Sequence, residues 1–440
     1  MRILALAAVF LATLSCRSGQ PDDRRVVVTF SGSALGAEGE LLARHVARFE
    51  QANPGIHVRV QRTPDDATQR HQLFVQWLNA RAGEPDILQL DVVWTPEFAA
   101  AGWLLPLDRW KPDRSDFFPS TIAANTWAGS QFAVPWFMDV GMLYWRTDLM
   151  RTAPATMDEL AADARRARAG GVPYGIVWQS ARYEGLVTSF VEFLGAFGGR
   201  ILADDGRVVV DSPEGIRALA FMRDLITSGA TPTDILTWHE EESRFAFQNG
   251  AAAMMRNWPY AVTLLEQPKD SRVAGKFAVA PMPGAAGGAP TATLGGSALA
   301  INAFTAHPDA AWKVVEFLTA PEQMLDRSRL SGYPPRPALY EDQRLAEILP
   351  IPVTLARSIV ERAVPRPATP IYSQLSELLQ IDLHRALSGQ VPPDRALHDA
   401  ARAMNALVER THIRELVAGR GARDAGRGTR GAGSGTGDAR

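Results

Sequence analysis

The stretch "RVVVTFSG", Arg25–Gly32, is a run of β-branched and aromatic residues that breaks at Ser-Gly, the pattern of a strand entering a turn. After it, a helical period runs from about Glu40 to Gln51, with Leu41, Leu42, Val46 and Phe49 on one face. "NPGIHVRVQR" (Asn53–Arg62) reads as a turn and a second strand, about Ala67 to Ala82 as a long helix, and "EPDILQLDVVW" (Glu84–Trp94) as a third strand. This β-α-β-α-β order predicts an α/β fold, a mostly parallel sheet covered by helices. Ligands of such sheets lie beyond the carboxyl ends of the strands, where Ser31-Gly32, Asp91 and Trp94 fall.

Further on, "GSQFAVPWFMDVGMLYWRTDL" (Gly129–Leu149) reads as two extended segments crossing into a second unit. That α/β unit runs from about Asp148 to Ala278, with helices expected at Met157–Ala169, Gly185–Phe197, Pro213–Ser228 and Glu241–Asn249. "FAVAPMPGAAGGAPTATLGGSALAIN" (Phe277–Asn302) returns through a Gly/Pro/Ala loop into another strand, so neither lobe is one continuous piece of chain. From Ala310 the chain is helical, with breaks at "SGYPPRP" and "AVPRPATPIY"; from about Gly419 it is Gly/Ala/Arg-rich without periodicity, the composition of a disordered tail.

A chain of 440 residues is long for a single core, and 46% apolar with 21% charged residues suits a globular protein. A net charge of −2 gives no global electrostatic case for nucleic acid. At the N-terminus, Arg2 followed by the apolar run Ile3–Leu14 fits a signal-peptide core and is too short to span a bilayer. It ends at "TLSC", which resembles the end of a bacterial lipobox and would make Cys16 a lipidated N-terminus. Thr13 stands where an apolar residue is usual, and an ordinary secretory signal with an incidental cysteine fits the same run. Cys16 is the only cysteine, so the fold has no internal disulfide.

No pattern demands catalysis. One cysteine and eight scattered histidines give no metal-ligand spacing, and no phosphate-cradling glycine motif occurs. Asp91, Asp139 and Glu184 could supply the paired carboxylates of a glycosidase, whose separation a sequence does not fix. The aromatic residues suit a different task. A sugar offers apolar faces to flat rings and a rim of hydroxyls to carboxylates, Arg and amides. Trp258 and Tyr260 flank a proline in "RNWPY" (Arg256–Tyr260), and the residue before a proline is pushed out of helical geometry. Trp94, Trp136, Phe137, Trp178 and Tyr183 also fall at element ends, though each also fits a core position. Asp91 and Asp139 interrupt apolar runs, so each is either buried with a partner or lines a cleft. Gly295-Gly296 either lets a ligand approach the backbone or marks a bulge.

"LQLDVVW", "MDVGMLYWRTDL", "FVEFLGAFGG", "QNGAAAMMRNWPYA", "TATLGG" and "AVPRP" with "QLSELLQ" together resemble the family 1 extracellular solute-binding proteins of ABC importers, most closely the maltose/trehalose-binding branch. The resemblance runs in family order from about Val28 to Ala418. It implies a type II periplasmic-binding-protein-like fold: two lobes joined by a hinge, each a mostly parallel sheet flanked by helices, with sugar bound between them and no chemistry performed. The expected division is a signal peptide at 1–16, a linker at 17–25, an N-terminal lobe of 26–136 plus 281–334, a C-terminal lobe of 137–280 plus 335–418, and a tail at 419–440. The resemblance places Glu38, Arg70, Asp91, Asp139 and Arg366 on sugar hydroxyls, Trp258 and Tyr260 on sugar faces, and the Gly295-Gly296 backbone at the cleft. Tyr183 and Glu184 match a cleft segment. Phe137 stands where close relatives carry Tyr, and Ser297 where they carry Trp. The implied partners are an α-glucoside disaccharide, a membrane permease, and the membrane itself through Cys16. A monomer outside the cytoplasm is expected, with no cofactor, metal or nucleic acid. The rivals are the same fold with another solute, such as sucrose, glucosylglycerol or a longer oligosaccharide, and a secreted glycoside hydrolase using Asp91 and Asp139.

Overall fold

The structure, a computed structural model, describes residues 25–33, 37–285, 288–330 and 332–411. The expected signal peptide with Cys16, nearly all of the linker, and the tail lie outside the described residues.

The first sheet grows from the opening stretch. Strand β1 (Val26–Gly32) leads into helix α1 (Glu38–Ala52), β2 (Ile56–Arg62), α2 (Ala67–Asn79) and β3 (Ile87–Asp91). Both β2 and β3 run parallel to β1. Helix α1 buries Leu41, Leu42, Val46 and Phe49, the face read from its period. Helix α2 starts where the Asp66 side chain accepts the N–H of Gln69 at 2.9 Å, satisfying a donor that the first turn leaves open. Short helices α3 (Thr95–Ala100) and α4 (Pro119–Ala124) and the ribbon of β4 (Thr126–Trp127) and β5 (Ser130–Gln131) precede β6 (Ala133–Val140).

After Gly141 the chain enters the second lobe as β7 (Met142–Arg146), followed by α5 (Met157–Ala169), β8 (Tyr174–Val177), α6 (Glu184–Ala196), α7 (Pro213–Thr227), α8 (Glu240–Gln248), β9 (Ala252–Asn257), α9 (Ala261–Leu265) and β10 (Phe277–Ala280). It returns to the first sheet as β11 (Ala292–Ile301), then α10 (Pro308–Leu318), α11 (Pro321–Ser328), α12 (Gln343–Ile348), α13 (Val353–Val360) and β12 (Ala363–Pro365). Two closing helices, α14 (Tyr372–Leu387) and α15 (Pro393–Arg410), pack on α6 and α7. Among the described residues no helix is long and apolar enough to cross a membrane.

Strand pairing amends two expectations. The second sheet, in the order β10-β7-β9-β8, is mixed: only β8 and β9 run parallel, while β7 opposes both β9 and β10. The first sheet is parallel through β1, β2 and β3, yet β11 opposes β3 and β6. A strand that carries chain outward from the hinge must run against strands whose carboxyl ends point at it, and β7 and β11 are those outward strands. The lobe boundaries also differ. Strand β6 stays paired with β11 as far as Val140, so the first crossing is at Gly141 rather than after Trp136. Ala363–Pro365 pair with Ala292–Leu294, so the final return to the second lobe begins near Arg366 rather than at 335.

Candidate functional site

The carboxyl ends of β1, β2 and β3 face those of β8 and β9 across a cavity of about 330 Å3. All eleven residues expected at a binding site line it: Glu38, Arg70, Asp91, Phe137, Asp139, Tyr183, Trp258, Tyr260, Gly295, Gly296 and Arg366.

Arg366 joins the two lobes. Its Nη2 donates to Asp91 Oδ1 at 2.7 Å, at the end of β3, and its Nη1 to Glu184 Oε1 at 2.6 Å, at the start of α6. Glu184 also accepts from Tyr372 Oη at 2.6 Å and from the Ser376 hydroxyl. Arg366 is almost wholly buried, and the two carboxylates hold its pKa above the usual guanidinium range although burial alone would lower it. Arg70 is held by the turn before its own helix: Nη1 donates to the carbonyls of Pro64 at 2.9 Å and Asp65 at 3.1 Å. Burial lowers its pKa, with Asp91 opposing.

Around Asp139 the sequence reading missed a cation. Arg327, buried in α11, donates to Glu38 Oε1 at 2.6 Å and lies 3.7 Å from the centre of the Phe137 ring. Burial, and then the Glu38 carboxylate, push Asp139 up to about 7 against the pull of Arg327. Gly296 sits at φ +108°, and a Cβ there would come 2.2 Å from the Phe137 carbonyl oxygen, so only glycine fits. Of the two readings of the glycine pair, the bulge has a counterpart in the register shift that follows directly between Ser297 and Ala298.

The opposite wall carries rings. Trp258 follows β9 directly, as the proline demanded. Its carbonyl accepts Tyr144 Oη at 2.6 Å, its Nε1 donates to Glu240 Oε1 at 3.3 Å, and the Arg256 guanidinium lies 4.0 Å from the ring centre. A Cβ on Gly295 would stand 3.2 Å from the indole edge, so glycine lets the ring lie against β11. Tyr260 donates its hydroxyl to Glu241 Oε1 at 2.6 Å. At the lip, His239 Nε2 lies 3.4 Å from Asp66 Oδ2, and Asp66 raises the pKa of His239.

Other aromatic candidates divide differently. Trp136 and Trp178 are core residues at 3% and 0% exposure, and Trp94 packs against His71 and Phe98. Sequence reasoning also missed Gln89, which donates to Ser297 Oγ at 3.0 Å, and the acidic start of α8 at Glu240–Glu242. The signal for Gln89 was its place in the apolar run "ILQL"; an acidic helix N-terminus such as that of α8 is too common to single out a site. Among the described residues, no group of three His, Cys, Asp or Glu side chains is arranged to hold a metal ion.

Known proteins resemble this chain over most of its length. A probable ABC transporter-binding protein of Deinococcus radiodurans is 33% identical over 412 residues, covering 90% of this chain and 95% of its own length. The structure superimposes on maltose-bound MalE3 of Thermotoga maritima with a TM-score of 0.82 and 40% identity, covering 87% of this chain and all of MalE3. The GacH receptor of Streptomyces glaucescens, solved unliganded and with acarbose, follows at a TM-score of 0.80 and 26% identity, covering 88% of this chain and 99% of its own. Residues 33–325 match the bacterial extracellular solute-binding protein family, and the chain belongs to that family.

Proposed function

We propose that the protein is the extracytoplasmic sugar-binding component of an ABC importer, which holds an α-glucoside disaccharide, trehalose or maltose, between its lobes and delivers it to a membrane permease. One observation carries this reading: Phe137, Tyr183, Trp258 and Tyr260 converge on the same cavity as Glu38, Arg70, Asp91, Asp139 and Arg366. Rings take the apolar faces of a sugar, and charged groups with fixed partners take its hydroxyls. The volume lies at the small end of the roughly 300–1,000 Å3 usual for ligand pockets, which suits a disaccharide better than a long chain. Likeness to maltose-bound MalE3 supports the same class. Likeness to GacH, solved with acarbose, favours a second reading in which this cleft takes a different or longer glycoside. Ser297 and Phe137 are the positions where such a difference would lie.

The hydrolase alternative requires an ionised Asp91 acting on the sugar beside a protonated Asp139. Asp91 Oδ1 is already bound by Arg366, and no step requires its release in a binding protein. The deciding experiment is calorimetric titration with trehalose, maltose and sucrose, followed by recovery of the sugar after prolonged incubation. One intact sugar bound per chain is expected. Steady release of glucose, lost in Asp91→Asn, would overturn the assignment, and binding of none of the three would remove the disaccharide class. Membrane attachment through Cys16 belongs to the same proposal; mass spectrometry of the mature chain should find it starting at a lipidated Cys16.

A further inference from the structure

Glu192 in α6 and Arg256 in β9 are both completely buried. Arg256 Nε donates to Glu192 Oε2 at 2.7 Å and Nη2 to Oε1 at 2.6 Å, a two-pronged pair, while Nη1 donates to Gln179 Oε1 at 2.7 Å. Taking both charges out of water costs nearly what their attraction returns, and apolar replacements of such pairs are often as stable. Stability alone is therefore a weak reason for this pair.

Its surroundings give a stronger one. On one side the Arg256 guanidinium backs the ring of Trp258 at 4.0 Å. On the other, Glu192 Oε1 accepts the N–H of Thr293 at 3.1 Å, where β11 sets out from the hinge into the first lobe. Gly141, the single residue between β6 and β7, completes the enclosure. A Cβ there would stand 1.7 Å from Glu192 Oε1 and 2.5 Å from Arg256 Nη2. The pair thus touches two of the chain crossings and the aromatic wall at once.

We infer that Glu192 is a positioning residue for ligand binding: through Arg256 it fixes the plane of Trp258 relative to the hinge, so the aromatic wall is set by the same contact that joins the lobes. The inference rests on Trp258 being a sugar-binding wall, as proposed above, and its test separates the two claims. Full-length mature protein is labelled with 5-fluorotryptophan, and the Trp258 fluorine signal is identified by its loss in Trp258→Phe. The variants are Glu192→Gln and the charge-free double variant Glu192→Gln/Arg256→Met, which leaves no unpaired buried charge if the single change fails to fold. Without sugar, the Trp258 signal of the double variant should shift or broaden, while those of Trp110 and Trp312, stacked on each other at 5.2 Å elsewhere, stay in place. With maltose as probe, the double variant should bind about tenfold more weakly, the scale of a desolvated cation–π contact. That loss should nearly vanish when the changes are made in Trp258→Ala, because residues acting through one another are not additive. An unmoved Trp258 signal, or an equal loss in both backgrounds, overturns the inference. If the parent protein binds none of maltose, trehalose and sucrose, the disaccharide reading fails while the fluorine result still decides the positioning.

Discussion

The wall of the cleft built by the first lobe and the wall built by the second present different chemistry. Glu38, Arg70, Gln89, Asp91 and Asp139 face the cavity from the first lobe, Glu38 and Arg70 from the first turns of helices, Asp91 and Asp139 from strand ends and Gln89 from the middle of β3. From the second come Tyr183, Trp258 and Tyr260, bedded on Glu240, Glu241 and Arg256. Hydrogen bonds to hydroxyls are directional and weaken steeply when misaligned, so the polar wall needs anchored side chains. Rings gain from area as well as orientation, so their wall needs backing. The first lobe adds one ring, Phe137, and the second adds the carboxylates of Glu184 and Glu240–Glu242, so the walls differ in proportion rather than in kind, and Arg366, tied to Asp91 and Glu184, is the strut between them.

The largest effect should come from removing that strut. Arg366→Ala leaves Asp91 and Glu184 without their shared cation, and breaking a buried pair on one side costs about 3–5 kcal/mol. Chemical denaturation should show a loss of that order together with loss of sugar binding. Unchanged stability would mean that the walls are held together elsewhere.

A middle-sized effect should separate the aromatic wall from the core. Trp258→Ala removes a stacking surface worth ~0.5–1.5 kcal/mol beyond its area, and with the apolar burial about 2–3 kcal/mol in all. Affinity should fall roughly 30–150-fold while the unliganded protein keeps most of its stability. A loss of ~3–5 kcal/mol in stability with affinity intact is what a core tryptophan would give, and it would move Trp258 out of the site.

A third effect concerns the polar wall and appears as a pH slope. Asp139 is held up to about 7 from an ordinary 3.8, first by burial and then by Glu38. Between those values the folded chain binds a proton that the unfolded chain has released, so stability should fall as pH rises through the window and level off above it. Asp139→Asn carries no such proton. Its stability relative to the parent should therefore climb from about pH 4 to about pH 7 and then flatten. Parallel curves for the two proteins would show that Asp139 is solvated and unperturbed.

Much of the scaffold was legible because it rests on local periodicity. The helix expected at Met157–Ala169 is α5, started by the Thr156 hydroxyl accepting the N–H of Glu159 at 3.1 Å. Trp258 was placed after its strand by a local steric effect of Pro259. Trp136 and Trp178 show the limit: they share the element-end position of Trp258, yet lie in the core. Which way such a ring points depends on distant segments, here Phe30 against Trp136 and Phe193 against Trp178. Glu192 and Arg256 did leave a signal, each a charge inside an apolar run, in "FVEFLGA" and "AAAMMRNW". The rule that singled out Asp91 applies to both, but it cannot say which buried charge meets which.

By itself the sequence determined the α/β elements, their order, the return of the chain from the second unit and the residue types gathered at the strand ends. All of these follow from periodicity, turn chemistry and backbone sterics acting over a few residues. Tertiary structure decided the direction of β7 and β11, the crossing at Gly141, the core fate of two tryptophans, and the pairing of Arg366 with Asp91 and Glu184 and of Arg256 with Glu192. Those outcomes join residues up to 275 positions apart. A buried charge is stable only beside a partner, and which partner is within reach is settled when the lobes pack.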